Sequence, residues 1–120
     1  MAINSRRKGA TGELEFAHKC EEYGFEDCYR TAQHTGKLPE ASADCMGLPG
    51  IHIEVKRVEK LNIDNAVEQS VRDAEIQNKG NIPVVFHRKN RKPWLATMTL
   101  DNWMKIYKSH IKQNNLDKKE

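Results

Sequence analysis

The sequence predicts an α/β domain, and three segments carry that prediction. Ile51-His52-Ile53-Glu54-Val55-Lys56 alternates apolar and polar residues with period 2, the pattern of a half-buried strand. From Asn62 to Lys79, Ile63, Ala66, Val67, Ser70, Val71 and Ala74 recur as one stripe of an amphipathic helix. Ile82 to His87 is then apolar and β-branched, as a buried strand is. Strand, helix and strand in that order belong to a compact α/β arrangement with no repeat and no low-complexity linker.

The remaining elements follow in order. Residues from about Thr11 to Tyr23 suit a helix, with Leu14, Ala17 and Cys20 or Tyr23 at core spacing and Gly24 ending it. A short strand is expected over Phe25 to Thr31, then a polar loop from Gln33 to Pro39. Gly47-Leu48-Pro49-Gly50 reads as a reversal that returns the chain and sets Asp44 beside Glu54. Trp94 to Thr99 is an antiparallel partner for the Ile82 strand, across a basic hairpin tip. Thr99 can cap a last helix bearing Leu100, Trp103, Met104, Ile106, Tyr107 and Ile111. Gly80 closes the middle helix, and the tail from about Gln113 to Glu120 is charged and expected to fray.

Length and composition frame this as one domain. The chain of 120 residues can bury a core, but 31% of it is charged, so the core must come from the few periodic segments. A net charge of +3 says little about a nucleic-acid partner; its distribution says more. Arg6, Arg7 and Lys8 form a basic arm within residues 1–9, and His87, Arg88, Lys89, Arg91 and Lys92 crowd the hairpin tip. Phosphate contacts need such clusters, although either alone also reads as a solvated loop. Cys20, Cys28 and Cys45 have no metal-type spacing and are odd in number, so neither a disulfide framework nor a zinc site is indicated. Cys20 reads as a small apolar helix residue, and Cys45 as following Asp44 into the core. No apolar run is long enough for a signal peptide or membrane span, and a reduced, cytoplasmic setting is expected.

The chemistry concentrates on the Ile51 strand. Ile51, Ile53 and Val55 should face the core, leaving His52, Glu54 and Lys56 on the other face. Glu54 and Lys56 lie about 6–7 Å apart along the strand and can address one ligand. With Asp44 they supply two carboxylates and an amine, which suits a divalent cation and an anionic substrate. Magnesium takes oxygen ligands and is held by one or two carboxylates with waters and phosphate oxygens. Bound there, it lowers the pKa of a water and stabilises charge on a phosphate, while Lys56 orients the water or offsets that charge. An acidic-apolar-basic triplet is by itself usually a solvated ion pair; the turn-linked Asp44 lifts it above that reading. Glu13 sits in the first turn of the first helix, where a carboxylate ordinarily complements the helix N-terminus. Gln69 falls at the edge of the apolar stripe, ordinarily a surface position.

Lys8-Gly9 with Glu13, then Arg30, Asp44, Glu54-Val55-Lys56 and Gln69, resembles the PD-(D/E)XK nuclease superfamily. Within it the chain is similar to archaeal-type Holliday junction resolvases and their phage- or prophage-encoded relatives. Gly47 to Glu59, Pro83-Val84-Val85 with His87-Arg88, and Trp94-Leu95 carry the likeness to the phage group. It covers roughly Ser5 to Tyr107. The resemblance implies a restriction-endonuclease-like fold, a central mixed β-sheet flanked by helices, and a homodimer with two active sites. It implies Glu13, Asp44 and Glu54 as metal ligands with the Val55 carbonyl, Lys56 as the catalytic lysine and Gln69 as a helper. Mg2+ is the implied cofactor, with Mn2+ able to substitute. Arg30 and Gln33 match a loop that approaches the DNA strand; Arg57, the basic arm and the hairpin tip complete the candidate DNA contacts.

Ala43 replaces the proline of the motif's name. Leu14 stands where archaeal members carry an arginine, and the Asp44-to-Glu54 turn is shorter. These departures bear on junction specificity more than on nuclease chemistry. Two function classes therefore stand: a magnesium-dependent endonuclease acting on branched DNA (or a less selective phage-type nuclease), and a catalytically silent DNA-binding module. The intact Asp44, Glu54 and Lys56 set favours the first.

Overall fold

The structure is a computed structural model and describes residues 5–30 and 43–116, with side chains from residue 11 onward. Its elements are α1 (Ser5–Glu22), β1 (Tyr29–Arg30), β2 (Cys45–Met46), β3 (Ile51–Arg57), α2 (Ile63–Gln77), β4 (Ile82–Arg88), β5 (Leu95–Thr97) and α3 (Leu100–Asn114). The strands form one five-stranded sheet in the order β1-β2-β3-β4-β5. β3 and β4 run parallel, joined through α2, while the other neighbours are antiparallel. The mixed sheet flanked by helices is the architecture of a restriction-endonuclease-like fold.

β3 is the centre of the sheet because its two faces are both covered. On one, Ile53 and Val55 join Phe16, Ala17 and Cys20 of α1 with Cys28 and Cys45 in the core. Phe16 extends that core by ring contacts to Phe86 at 4.5 Å and Trp94 at 5.3 Å. On the other, α2 buries Ala66, Ser70 and Ala74. Small residues along this stripe let the helix lie close to the sheet, so His52 and Glu54 are buried as well as Ile53. The alternation of β3 thus separates two chemistries rather than a core from solvent.

Several expected details shift. α1 begins at Ser5, six residues before the pattern places it, so Arg6, Arg7 and Lys8 lie in its first turns and not in an arm before it. Its core face carries Phe16, Ala17 and Cys20, whereas Leu14 and Tyr23 are exposed. The reason is the approach of α1 to β3. A Cβ on Gly12 would sit 2.6 Å from the Arg57 Cβ, so this glycine helps fix which face of α1 meets the sheet. The expected Phe25–Thr31 strand is short, Tyr29–Arg30 among the described residues.

The turns follow their chemistry. Gly24 closes α1 at φ 95°, with the Phe25 amide donating to the Cys20 carbonyl. Gly47 and Gly50 supply the positive φ angles of the β2–β3 reversal, 115° and 83°, and Cys45 pairs with Ile53 across it. Asn62 caps α2 by accepting from the Asn65 amide at 3.1 Å, and Thr99 caps α3 through the Asn102 amide at 3.2 Å. Although α3 is capped at both ends, it buries no residue. The three cysteines are free and buried. Among the described residues no helix is long and apolar enough to cross a membrane.

Candidate active site on the central strand

Asp44 is positioned by β3 itself. Its amide donates to the Ile53 carbonyl at 2.8 Å, and its Oδ2 accepts from the Val55 amide at 2.8 Å. Those two bonds bracket Glu54, so the reversal sets the two carboxylates side by side as its sequence implies. Val55 thus enters the site through its N–H, which fixes Asp44.

Glu13 comes within electrostatic reach of Asp44 from α1, but the ligand atoms of Glu13, Asp44 and Glu54 do not all lie within 4.8 Å of one another. Because the helix starts at Ser5, Glu13 is two turns inside it, and complementing the helix N-terminus no longer accounts for it. It precedes Phe16 and Ala17 by three and four residues, which puts it on the sheet-facing side. The Arg30 Nε donates to its Oε2 at 2.6 Å, with both side chains largely covered. Arg30, a candidate DNA contact from sequence, is therefore the counter-charge of Glu13.

The electrostatics link Asp44 and Lys56 to each of the two glutamates. Burial pushes the Glu13 carboxyl above its usual value, and the Asp44 charge raises it further, against the pull of Arg30 and Lys56. Glu54 is only 2% exposed. Burial raises it first and Asp44 adds to that, opposed by His52 and Lys56. Asp44 therefore repels both glutamates, and Lys56 stabilises the charge on both. Buried carboxylates held together in this way have a net need for positive charge.

Gln69 is half-buried on α2 and shares a helix face with Asp73 four residues on. Asp73, which the sequence did not single out, reaches the sheet: its carboxylate, Glu54 and His52 offer ligand atoms all within 4.8 Å of one another. Among the described residues this is the group of three or more close enough for one ion. His52 was legible as a neighbour of Glu54 on one strand face. Asp73 had only its place one turn after Gln69 as a signal.

The candidate DNA contacts divide. Lys89, Arg91 and Lys92 are exposed in the β4–β5 turn, where the Lys92 amide donates to the Lys89 carbonyl and Arg91 takes a φ of 63°. His87, Arg88, Lys89 and Lys92 line a hollow of about 380 Å³ beside it. Arg88, however, pairs with Glu15 of α1 and donates to the Lys92 carbonyl at 2.6 Å. Arg57 pairs with the same Glu15 at 3.0 Å. Glu15, unremarked in the sequence, ties α1 to two strands. Gln33 lies outside the described residues.

A fold with acidic groups gathered on a central strand, beside a turn rich in cations, points to the nuclease class. The family model described as "Phage putative PDDEXK endonuclease" matches residues 4–120, and the chain belongs to that family. No curated protein matches the chain, and no solved structure does.

Proposed function

We propose that the protein is a magnesium-dependent DNA endonuclease that hydrolyses phosphodiester bonds at the Asp44–Glu54 site. The observation that carries the reading is the bracketing of Glu54 by Asp44, through the bonds to Ile53 and Val55, with Lys56 acting on the Glu54 carboxylate. The donor set fits a hard divalent cation: oxygen ligands, two of them in carboxyls that burial and repulsion from Asp44 hold above their usual pKa values. Asp44 and Glu54 would hold the ion, with Glu13 and the Val55 carbonyl as further oxygens. Mn2+, which prefers similar ligands, would substitute. When bound, the ion supplies a more acidic water and charge stabilisation at phosphate.

The chain's own residues do the rest. Asp44 is rigid because two backbone bonds hold it to β3. Lys56 places an ammonium beside the carboxylates, where it offsets charge building on the phosphate as the P–O bond breaks. Gln69 orients substrate or water from α2. Lys89, Arg91 and Lys92, with Arg6, Arg7 and Lys8, would engage the DNA backbone. A catalytically silent binding module would have no chemical need for Asp44, Glu54 and Lys56 together. Purified protein incubated with a labelled four-way junction and with linear duplex, with and without Mg2+, tests the reading. Cleavage that requires Mg2+ and fails in Asp44→Asn supports it, and no cleavage of either substrate overturns it.

The same assay separates a junction-selective enzyme from a less selective phage-type nuclease, which the family assignment accommodates equally. The α3 surface favours the paired form. Trp103, Met104, Ile106 and Tyr107 are 37–44% exposed and Leu100 is 67% exposed, with the Trp103 and Tyr107 rings stacked at 4.9 Å. Aromatics and Met are enriched in interfaces, and a two-fold enzyme would place one site at each equivalent strand of a junction. Sedimentation at micromolar concentration decides it: a strict monomer, even on junction DNA, defeats paired nicking.

A further inference from the structure

We propose that His52, Glu54 and Asp73 form a second metal position, one that takes zinc in preference to magnesium. Its three ligand atoms come from two elements: His52 and Glu54 are neighbours on the α2 face of β3, and Asp73 descends from α2. They all lie within 4.8 Å of one another. Two ligand atoms of a tetrahedral zinc ion are about 3.4 Å apart, from bonds of roughly 2.1 Å, so rotamer adjustments that draw the three atoms inward would close the set.

A cluster of this kind needs a reason beyond proximity, and His52 gives it. The imidazole is 3% exposed, and its Nε2 has no hydrogen-bond partner among the described residues. That atom lies 3.4 Å from the Glu54 Oε1, a long contact inside ion-pair range. A buried ring nitrogen aimed at a carboxylate, with a second carboxylate beside it, is an unfilled donor position. Buried polar groups are almost always partnered, because an unmet one forfeits its hydration.

The donor chemistry selects the ion. Magnesium takes oxygen ligands and keeps its waters. Imidazole nitrogen suits zinc and its transition-metal neighbours, and one histidine with two carboxylates leaves a fourth tetrahedral place for water. Glu54 is shared with the proposed magnesium site, and its Oε1 is the oxygen that lies 3.4 Å from the His52 Nε2. Zinc here would pin α2 to β3 and fix the rotamer of Glu54 from behind. Only that consequence rests on the nuclease reading; the zinc position does not.

The test needs no DNA, so its outcome is separate from that of the cleavage assay. Zn2+ is titrated calorimetrically into the purified protein in excess Mg2+, and Co2+ is added in parallel as a visible-absorption probe of nitrogen ligation. Wild type should bind one Zn2+ per chain and melt at a higher temperature with it. His52→Ala and Asp73→Asn should each weaken Zn2+ at least as much as loss of a supporting partner does, roughly 10–100-fold. Glu13→Gln, which alters only the other cluster, should leave Zn2+ affinity unchanged. No Zn2+ binding by wild type, or binding as strong in both variants as in wild type, overturns the proposal. If His52→Ala fails to fold, as judged by circular dichroism, Asp73→Asn decides alone, since that helix residue is only half-buried.

Discussion

The two faces of β3 are equally dry and chemically opposite. Towards α1, Ile53 is fully buried among Phe16, Ala17, Cys20 and Cys45. Towards α2, His52 and Glu54 are buried almost as deeply, under Ala66, Ser70 and Ala74. The first face lowers free energy by removing apolar surface from water. The second raises it, because a buried carboxylate with raised pKa is destabilising whenever it is ionised. Apolar packing and buried charge are thus built on alternate residues of one strand. Independence of the two faces predicts that each can be changed without touching the other.

The largest expected effect is on the polar face. Glu54→Gln or Asp44→Asn should lower cleavage by at least about 10²–10³-fold, the scale on which one electrostatic contributor to a transition state acts. Glu54→Gln also removes a buried charge, so its melting temperature should stay at or above that of wild type in the absence of metal. Wild-type cleavage rates in either variant would sink the site assignment.

The converse change is Ile53→Ala. It leaves every carboxylate in place but opens a cavity beneath α1, and should cost about 2–5 kcal/mol of stability by denaturant titration. Activity per folded molecule should survive. If Ile53→Ala abolishes cleavage while still folded, the two faces are mechanically coupled and their independence is refuted.

A smaller effect sharpens the division among the cations. Replacing Lys89, Arg91 and Lys92 with alanine should weaken DNA binding and reduce its dependence on the logarithm of salt by up to about 0.9 for each phosphate no longer neutralised. Arg88→Ala should instead cost stability, because Arg88 and Arg57 share Glu15. An unchanged salt slope in the triple variant would assign the turn's charges to solubility.

What the sequence made legible follows the range of the interactions. β3, α2 and β4 were readable because one face of each has a regular period, and the Asp44–Glu54 pairing because a four-residue turn sets it locally. Only their bounds moved by a residue or two. The phase of α1 was not readable: Leu14 looks like a core residue, and only the close approach of Gly12 to Arg57, 45 positions away, decides that Phe16 faces inward. Glu13 came from family likeness alone, since nothing local distinguishes it from a helix-end carboxylate. Asp73 depends on how α2 docks over β3. The exposure of α3 depends on what the rest of the fold leaves uncovered, because the same amphipathic spacing serves either a core or a partner.

The smallest expected effect concerns His87, at the junction between the sheet and the basic turn. Its Nε2 lies 2.8 Å from the Thr97 Oγ1, bridging β4 and β5. Burial lowers its pKa below the usual histidine value of 6.5, and the charge of Lys89 lowers it further. The folded protein therefore resists protonating His87 more than the unfolded chain does. Between the folded and unfolded pKa values the unfolded state binds more protons, so stability rises with pH across that interval. The contribution is complete above 6.5 and is lost as pH falls through the depressed folded value. His87→Gln retains a side-chain amide for Thr97 and removes the titration. Denaturant midpoints measured from about pH 7 down to about pH 5, the range of histidine titration, should fall more steeply in wild type than in His87→Gln. Parallel curves would mean that His87 takes up its proton as readily in the sheet as in the unfolded chain. The β4–β5 edge would then be open to solvent, and the dry interior would end at β4.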